Sequence, residues 1–380
     1  MKKCYYYLIA PLFVLVILAG CTPSPAPIPA APPTPAPITA PTSNISPPTS
    51  QDAAWDKVVA AAKKEGVVTI YSTYFVADTT RRLSKDFQDK YGIRVEILAG
   101  GGRTSLEKIK VEAQIKKPIA DLMESSGGSA TELVLSGMAV SVGKDLPALK
   151  DKNAFVVEPI YSPGGELIQH NLYVNAPVIN TRLVKEPDEP RSYQNLLEPK
   201  WKGNILIPDP AATGSTAPFY GPLFYKSLDL DYWRRLSRQD VKIWAGSVVE
   251  GTRMVARGEY NLFLTGTTDA TGPLIAEGAP VKLLAMEEGN PAGGFVIAAV
   301  KDSPHPNAAK LFIDWLQTKE GQISYAEPSR ATPIRKDVPD FSMPGTQLKL
   351  KKIWNRTWEF EEWANKEMKL GTVAQAFGVK

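Results

Sequence analysis

Small hydroxyl-bearing residues and glycines recur in this chain just after short apolar stretches, where a strand ends and a helix begins. In "IPDPAATGSTAPFY", residues 207–220, an apolar run and two prolines precede Gly214, Ser215 and Thr216. The first backbone N–H groups of a helix have no partner within the helix, and the positive end of its dipole favours negative charge. Hydroxyls add donors, and glycine allows close approach of the backbone. Such a turn suits an anionic ligand.

Turns of the same composition follow four other predicted strands. Simple helix capping is the alternative for each of them, because Ser, Thr and Gly are ordinary N-cap residues. Arg103 suits a carboxylate or phosphate, which a guanidinium binds through two parallel hydrogen bonds; its alternative is a solvated arginine paired with Glu107. The candidate ligand-binding residues are Ser72, Thr73, Tyr74, Gly102, Arg103, Ser125, Ser126, Gly127, Gly214, Ser215, Thr216, Thr267, Thr268 and Asp269.

Strands and helices alternate along the body of the chain in two sets. This alternation predicts right-handed crossovers and mainly parallel sheets covered on both faces. Two passages, 172–181 and 293–300, look extended and separate the sets, so we predict an α/β fold of two lobes joined by a two-strand hinge. Ligands of open parallel sheets bind beyond the carboxyl ends of the strands. The polar turns are therefore expected to line one cleft. The predicted strands are 67–71, 94–99, 120–123, 204–207, 241–244 and 261–265.

The first fifty residues are typical of an exported, lipid-anchored protein. Lys2 and Lys3 precede an apolar run at 8–18, too short for a dependable membrane span and flanked like a signal peptide. The run ends in "LAGC", which resembles the lipobox of bacterial lipoproteins and implies cleavage after residue 20 and lipid on Cys21. An uncleaved anchor helix is the alternative, and both place the body outside the cytoplasmic membrane, in a periplasm or on an outer cell surface. Residues 22–50 are rich in Pro, Ala, Ser and Thr and predict an extended tether.

Composition argues against several other functions. The chain has two cysteines, and with Cys4 removed and Cys21 lipidated the mature body has no thiol for a disulfide, a metal site or a nucleophile. Its two histidines, His170 and His305, are too few for a His-rich metal site. The formal charge of +4 gives no argument for nucleic acid. We expect no cofactor and a monomer.

Four phrases in order carry a family resemblance: "WDKVVAAAKKEGVVTIYS", "FQDKYGIRVEI", "LLEPKWKGNILIPDP" and "PHPNAAKLFIDWLQTKEGQ". Over residues 52–340 the chain resembles the family-1 extracellular solute-binding proteins of ABC importers, nearest to the ferric-iron binders. The resemblance implies a type II periplasmic binding protein-like fold, a membrane permease as partner and no chemistry on the ligand. The expected organisation is a signal peptide at 1–20, a tether at 21–50, lobe 1 at 51–174, lobe 2 at 175–292, a return to lobe 1 at 293–345 and a C-terminal helical segment at 346–380.

The iron clamp of that subgroup does not match this chain. The resemblance implies two adjacent tyrosines in the second lobe and a histidine or tyrosine after the first strand. Thr267 and Thr268 stand roughly where the pair belongs, and neutral hydroxyls are poor ferric ligands. Tyr74 alone supplies a phenol, so we predict no metal and a small anionic or polar solute.

Three alternatives stay open at this point: a ferric-iron-binding protein, a ligand-binding sensor module and an extracellular hydrolase. The hydrolase is disfavoured because the G-x-S-x-G motif is absent and histidine is scarce. Several aromatic residues suit stacking on a ligand ring, although core packing is the simpler interpretation of each. These are Tyr74, Tyr173, Phe219, Tyr220 and Trp244. A helix over 348–370 is predicted to pack Trp354 and Trp358 against one lobe.

Overall fold

The computed structural model describes residues 50–75, 77–212 and 216–379, with only the backbone for residues 50–52, 77 and 216. The predicted signal peptide, Cys21 and the predicted tether lie outside the described residues, apart from Ser50, which begins α1. Among the described helices, none combines the length and apolar character needed to cross a membrane. The first lobe begins with α1 (Ser50–Glu65), β1 (Val67–Ser72), α2 (Ala77–Tyr91), β2 (Arg94–Ala99), α3 (Gly102–Gln114), β3 (Leu122–Ser126), α4 (Gly127–Leu135) and β4 (Ala139–Val140).

The chain then crosses into the second lobe and returns. The crossing strands are β5 (Leu167–Gln169) and β6 (Asn171–Asn180). The second lobe contains β7 (Ile205–Pro208), α5 (Thr216–Phe224), α6 (Leu230–Ser237), β8 (Lys242–Trp244), α7 (Val248–Arg257), β9 (Leu262–Thr267), α8 (Thr268–Ala276) and β10 (Val281–Leu283). The return and the C-terminal region contain β11 (Asn290–Gly293), β12 (Phe295–Val300), α9 (Pro306–Leu316), α10 (Lys319–Ser329), β13 (Thr332–Pro333), β14 (Ile353–Asn355) and α11 (Trp358–Lys369).

Each lobe has its own sheet. The first has the order β2-β1-β3-β12-β4, with β5 also on β12, and the second has the order β14-β11-β6-β9-β7-β8, with β10 and β13 on β6. Pairs β1–β2, β1–β3, β7–β8 and β7–β9 are parallel, as the strand–helix alternation predicts. The outgoing strand β6 and the returning strand β12 differ from these parallel pairs, because β12 runs antiparallel to β3 and β6 antiparallel to β9. They enter each sheet from the opposite lobe and therefore need no helical crossover.

Both sheets are buried on both faces, which explains their nearly continuous apolar sequences. In β12 alternate residues enter different cores: Ile297 packs with the cluster around Phe87 and Trp315, and Ala298 with the cluster on the other face. In the second sheet Leu262 and Phe263 divide in the same way between two cores. The prediction of two α/β lobes is confirmed.

The two crossing passages are hydrogen-bonded to each other where they leave the first lobe. The amide of His170 donates to the Phe295 carbonyl at 3.1 Å, and the amide of Phe295 donates to Asn171 Oδ1 at 2.7 Å. A Cβ on Gly294 would lie 2.1 Å from the Asn171 carbonyl oxygen, so only glycine fits between the strands. The hinge is therefore a hydrogen-bonded pair of backbones with a side-chain-free crossing point.

The C-terminal region differs from the single helix predicted over 348–370. Trp354 lies on β14, which pairs with β11 and buries the indole completely in the second lobe. Trp358 begins α11 and packs against the first-lobe core, whereas Phe360 on the same helix packs into the second-lobe core. Asn365 Nδ2 donates to the Gly128 carbonyl of α4 at 3.1 Å. The helix therefore contacts both lobes instead of one.

Candidate functional site

The carboxyl ends of β1, β2 and β3 meet at one edge of the first sheet. Ser72 is in register with Ala99 of β2 and with Glu124 of β3. The turns that follow these strands therefore lie side by side, as the sequence predicts for parallel strands. The Thr73 hydroxyl lies 3.4 Å from the Ser125 hydroxyl. Three of the predicted turns thus form one polar edge.

Gly102, from the turn after β2, lies against the turn after β3. A Cβ on Gly102 would lie 2.2 Å from Ser125 Oγ and 2.8 Å from Ser129 Oγ. The glycine is required for this close approach of the α3 start to the α4 start. The structure therefore brings Thr73, Gly102 and Ser125 together.

Glu124 organises this edge, although sequence reasoning did not select it as a site residue. Its side chain is completely buried, and its Oε2 accepts hydrogen bonds from the Ser72 hydroxyl at 2.7 Å and from the amides of Thr73 at 3.1 Å and Tyr74 at 3.0 Å. His170 Nε2 lies 3.3 Å from its Oε1. The amides expected to bind a ligand after β1 are therefore bound to the protein's own carboxylate. In the sequence, a single glutamate at the end of a buried strand is the signal that could have identified Glu124 as a site residue.

The second lobe contributes the turn after β9. The Thr267 hydroxyl caps α8 by accepting from the Ala270 amide at 3.3 Å, and the Thr268 hydroxyl accepts from the Val174 amide of the hinge strand β6 at 3.2 Å. Two of the three predicted residues here thus have local structural partners. The third, Asp269, is also stabilised locally, by the Thr267 hydroxyl and by the amides of Asp269 and Ala270, but its buried Oδ1 has no hydrogen bond to any described residue.

Tyr74, Glu124, Tyr173 and Asp269 lie near enough to one another to interact electrostatically, and we call the place where they meet the interlobe site. Burial raises the pKa of the Tyr74 hydroxyl well above its usual value, and Tyr173, Asp269 and Glu124 raise it further. Burial also raises the pKa of Tyr173, to about 12. Both phenols are therefore neutral at physiological pH.

Aromatic stacking holds the two tyrosines of the interlobe site. The Tyr74 ring stacks on Phe295 at 3.3 Å between centroids, and Tyr173 stacks on Phe295 at 4.5 Å. By contrast, Phe219 and Tyr220 are completely buried in the second-lobe core. Phe219 and Tyr220 are therefore core residues, whereas Tyr74 and Tyr173 lie among the polar groups of the interlobe site.

The start of α4 lies beside a buried ion pair. Arg356 Nε donates to Glu361 Oε1 at 2.6 Å, and the same guanidinium contacts the Tyr173 hydroxyl. A Cβ on Gly127 would lie 2.8 Å from Glu361 Oε1, so the carboxylate sits against the first residue of the helix. Ser126 precedes it as the N-cap residue and makes no side-chain capping bond. This predicted anion-binding helix start therefore also faces a carboxylate of the protein itself.

The remaining candidate residues have no described contact with the interlobe site. Arg103 is exposed in the first turn of α3, and Glu107 pairs with Lys110 at 3.1 Å instead of with Arg103. Gly214 and Ser215 lie outside the described residues, as does the side chain of Thr216, whose backbone begins α5. These residues remain predicted ligand contacts.

A cavity of about 690 Å³ lies near the hinge but away from the predicted residues. Its lining includes Tyr161, Gln169, Gly293, Arg356 and Trp358. We place the candidate site at the interlobe site because polar groups from both lobes converge there, with Glu124 completely buried and Tyr74 and Asp269 partly exposed. Among residues 50–75, 77–212 and 216–379, no group of three or more His, Cys, Asp and Glu side chains is arranged to hold a metal ion.

Asp269 makes a pH-dependent contribution to stability. Burial raises its pKa to about 6, although Thr267 and nearby amides oppose the shift. Below about pH 4 the carboxyl is protonated in both the folded and the unfolded chain, whereas above the folded pKa the folded chain bears the full cost of ionisation. We expect Asp269→Asn to raise the free energy of unfolding of the ligand-free protein above pH 6 by up to about 3 kcal/mol.

Urea unfolding at pH 4 and pH 7.5 measures this difference. The control is Asp78→Asn, since the Asp78 side chain is 71% exposed. An Asp269→Asn effect of the same size at both pH values would show that ionisation of Asp269 is not the cause.

Comparisons with known proteins agree with this geometry. The sequence model of the bacterial extracellular solute-binding protein family matches residues 82–361, well over half of the chain. A relative from Salmonella typhimurium, described as "Putative 2-aminoethylphosphonate-binding periplasmic protein", is 26% identical over 291 residues, which cover 72% of this chain and 80% of that protein.

Two solved structures share the fold. Iron-bound HitA from Pseudomonas aeruginosa has a TM-score of 0.66 at 21% identity, covering 82% of this chain and 99% of its own. The periplasmic binding protein AfuA from Actinobacillus pleuropneumoniae, with fructose-6-phosphate bound, has a TM-score of 0.67 at 20% identity, covering 82% and 97%. Both are type II periplasmic binding proteins, and members of this family are binding proteins that work with a membrane permease. The chain belongs to the bacterial extracellular solute-binding protein family and is an extracytoplasmic solute-binding protein of an ABC importer.

Proposed function

We propose that this protein binds a small organic solute through an anionic group, such as a phosphonate or phosphate, and delivers it unchanged to its permease. The observation that carries the proposal is the polar edge of the first sheet, where Thr73, Gly102 and Ser125 lie together and the exposed Arg103 begins the same helix as Gly102. Strand ends and helix starts surround that place, and such positions supply the donors that oxyanions need.

The anionic group is assigned first to a described cation that has no ion-pair partner among the described residues. The amides after β1 and the start of α4 already face Glu124 and Glu361. Arg103 forms no ion pair with any described residue. We therefore assign the oxyanion to Arg103, and the turn at 214–216 is a second contact proposed from the sequence alone. The relative described as a phosphonate binder and the sugar-phosphate-bound AfuA support a phosphorus oxyanion.

Ferric iron is a weaker candidate for the cargo. The Tyr74 hydroxyl has a pKa well above its usual value because it is buried, so binding iron as a phenolate would cost more than usual. Threonines stand at 267 and 268, and neutral hydroxyls are poor ligands for a hard trivalent ion. A sensor role would use the same closure. The presence of a permease and ATPase or of a receptor in the neighbouring genes separates import from sensing.

Ligand screening tests the function. A solute that binds only the folded protein raises its melting temperature with concentration, by an amount equivalent to about 2.7 kcal/mol at one hundred times Kd. We expect short phosphonates, sugar phosphates or carboxylates to shift the melting temperature and to be recovered intact by NMR. A shift with ferric salts alone, accompanied by a charge-transfer colour, would overturn the proposal. Appearance of a product would instead indicate a hydrolase.

Arg103 is predicted to contact the oxyanion. Replacing Arg103 with Ala is expected to weaken binding by about 1.5–3 kcal/mol, the usual contribution of a charged hydrogen bond. Isothermal titration calorimetry with the best solute of the screen measures the change. Lys117→Ala is the matched control, because Lys117 is an equally exposed cation at the opposite end of the same strand–helix unit. Equal affinities of the Arg103 variant and the control would remove Arg103 from the site.

We further propose that Cys21 carries lipid and that the mature protein is a tethered monomer. The order of charged residues, apolar run and "LAGC" in the first 21 residues supports this proposal. We expect the full-length protein to partition into the detergent phase of Triton X-114, and Cys21→Ser to abolish this. Cys4→Ser is the control and should still partition, because Cys4 is removed with the signal peptide. A wild-type protein found in the aqueous phase would contradict the lipid anchor.

A further inference from the structure

The described part of the interlobe site carries an excess of negative charge. Glu124 and Asp269 are both carboxylates, and Glu124 raises the pKa of Asp269. The nearby cation is Arg356, whose guanidinium binds the Glu361 carboxylate and the Tyr173 hydroxyl. Such a lining disfavours a purely anionic ligand at this particular place.

The two carboxylates differ in how they are satisfied. Glu124 accepts hydrogen bonds from a hydroxyl and two amides, so the fold itself stabilises its charge. The Asp269 carboxylate is stabilised by the Thr267 hydroxyl and by the amides of Asp269 and Ala270. It forms no ion pair with any described residue, and its buried Oδ1 accepts no hydrogen bond from them. Leaving a buried carboxylate oxygen without a donor or cation is costly, and a cation from the ligand would offset that cost.

An ammonium group suits this position better than a metal ion. A metal needs several ligands, and the described residues offer no group of three metal-binding side chains. A protonated amine needs one carboxylate and neutral acceptors. The Tyr74 hydroxyl, which feels the charge of Asp269, is a neutral acceptor on the opposite lobe.

We infer that the solute is a zwitterion and that Asp269 determines specificity by binding its protonated amine. This inference rests on the proposed function, since it assigns the oxyanion to Arg103. The amine lies between the lobes, with Asp269 of the second lobe on one side and Tyr74 of the first on the other. The oxyanion and the amine thus use different parts of one cleft.

Matched ligand pairs test the inference. Short ω-aminoalkylphosphonates are compared with alkylphosphonates of the same chain length, and ω-amino carboxylates with the corresponding carboxylates, by calorimetry at pH 7.5. We expect the wild-type protein to bind the amine-bearing member of a pair at least 30-fold more tightly. Asp269→Asn should reduce this preference to less than threefold by weakening the amine-bearing ligand and leaving its partner unchanged. Asp269→Glu should retain part of the preference.

Other outcomes separate the failure of this inference from the failure of the proposed function. Equal affinities of the wild-type protein for both members of a pair would overturn the amine assignment and leave oxyanion binding intact. Equal weakening of both ligands by Asp269→Asn, in a variant that still unfolds cooperatively, would show that Asp269 is only structural. No binding of any phosphonate or carboxylate would overturn the proposed function and this inference together.

Discussion

The buried charge of Glu124 is the interaction on which the geometry of the site depends. A carboxylate that is completely buried must be hydrogen-bonded, and the Ser72 hydroxyl and the amides of Thr73 and Tyr74 meet that requirement. These bonds fix the turn after β1 and hold Tyr74 where its ring stacks on Phe295 of the return strand. His170, next to the hinge strand, approaches the other carboxylate oxygen. One charge therefore connects two strand ends of the first lobe to both crossing passages.

A second buried carboxylate connects the C-terminal region to the first lobe. Glu361 lies against Gly127 and binds Arg356, which in turn contacts Tyr173 of the hinge strand. The protein thus places its own carboxylates at two positions where parallel strands ordinarily leave donors for a ligand. Under the proposed function, this arrangement restricts an oxyanion to the remaining positive groups and leaves the rest of the cleft acidic.

The alternation of apolar strands and helices predicted the two lobes. A sheet covered on both faces requires apolar strands, and such strands can be recognised in the sequence. The sequence pattern also predicted the polar turns, since Gly102 and Ser125 do lie together at one edge. The prediction of one C-terminal helix was partly wrong, because residues Ile353–Asn355 form a strand that pairs with β11, more than fifty residues away in the chain. Whether a helix start is open to a ligand or already faces a carboxylate of the protein likewise depends on tertiary contacts. Ser, Thr and Gly indicate donors, but the sequence alone does not show that Glu124 and Glu361 reach them.

Like charges on the two lobes also make closure of the lobes depend on the ligand. Glu124 belongs to the first lobe and Asp269 to the second, and bringing two carboxylates together in a buried place is unfavourable without a cation between them. An amine held by Asp269 changes the sign of that interaction, because its positive charge attracts both carboxylates. The cost of burying Asp269 is then offset only when the cargo is present. A ligand shifts a conformational equilibrium only by its differential affinity for the two states, and a cation placed between opposing acids has such a difference. Under the proposed assignment, the residue that distinguishes the cargo, Asp269, also couples its binding to closure of the lobes.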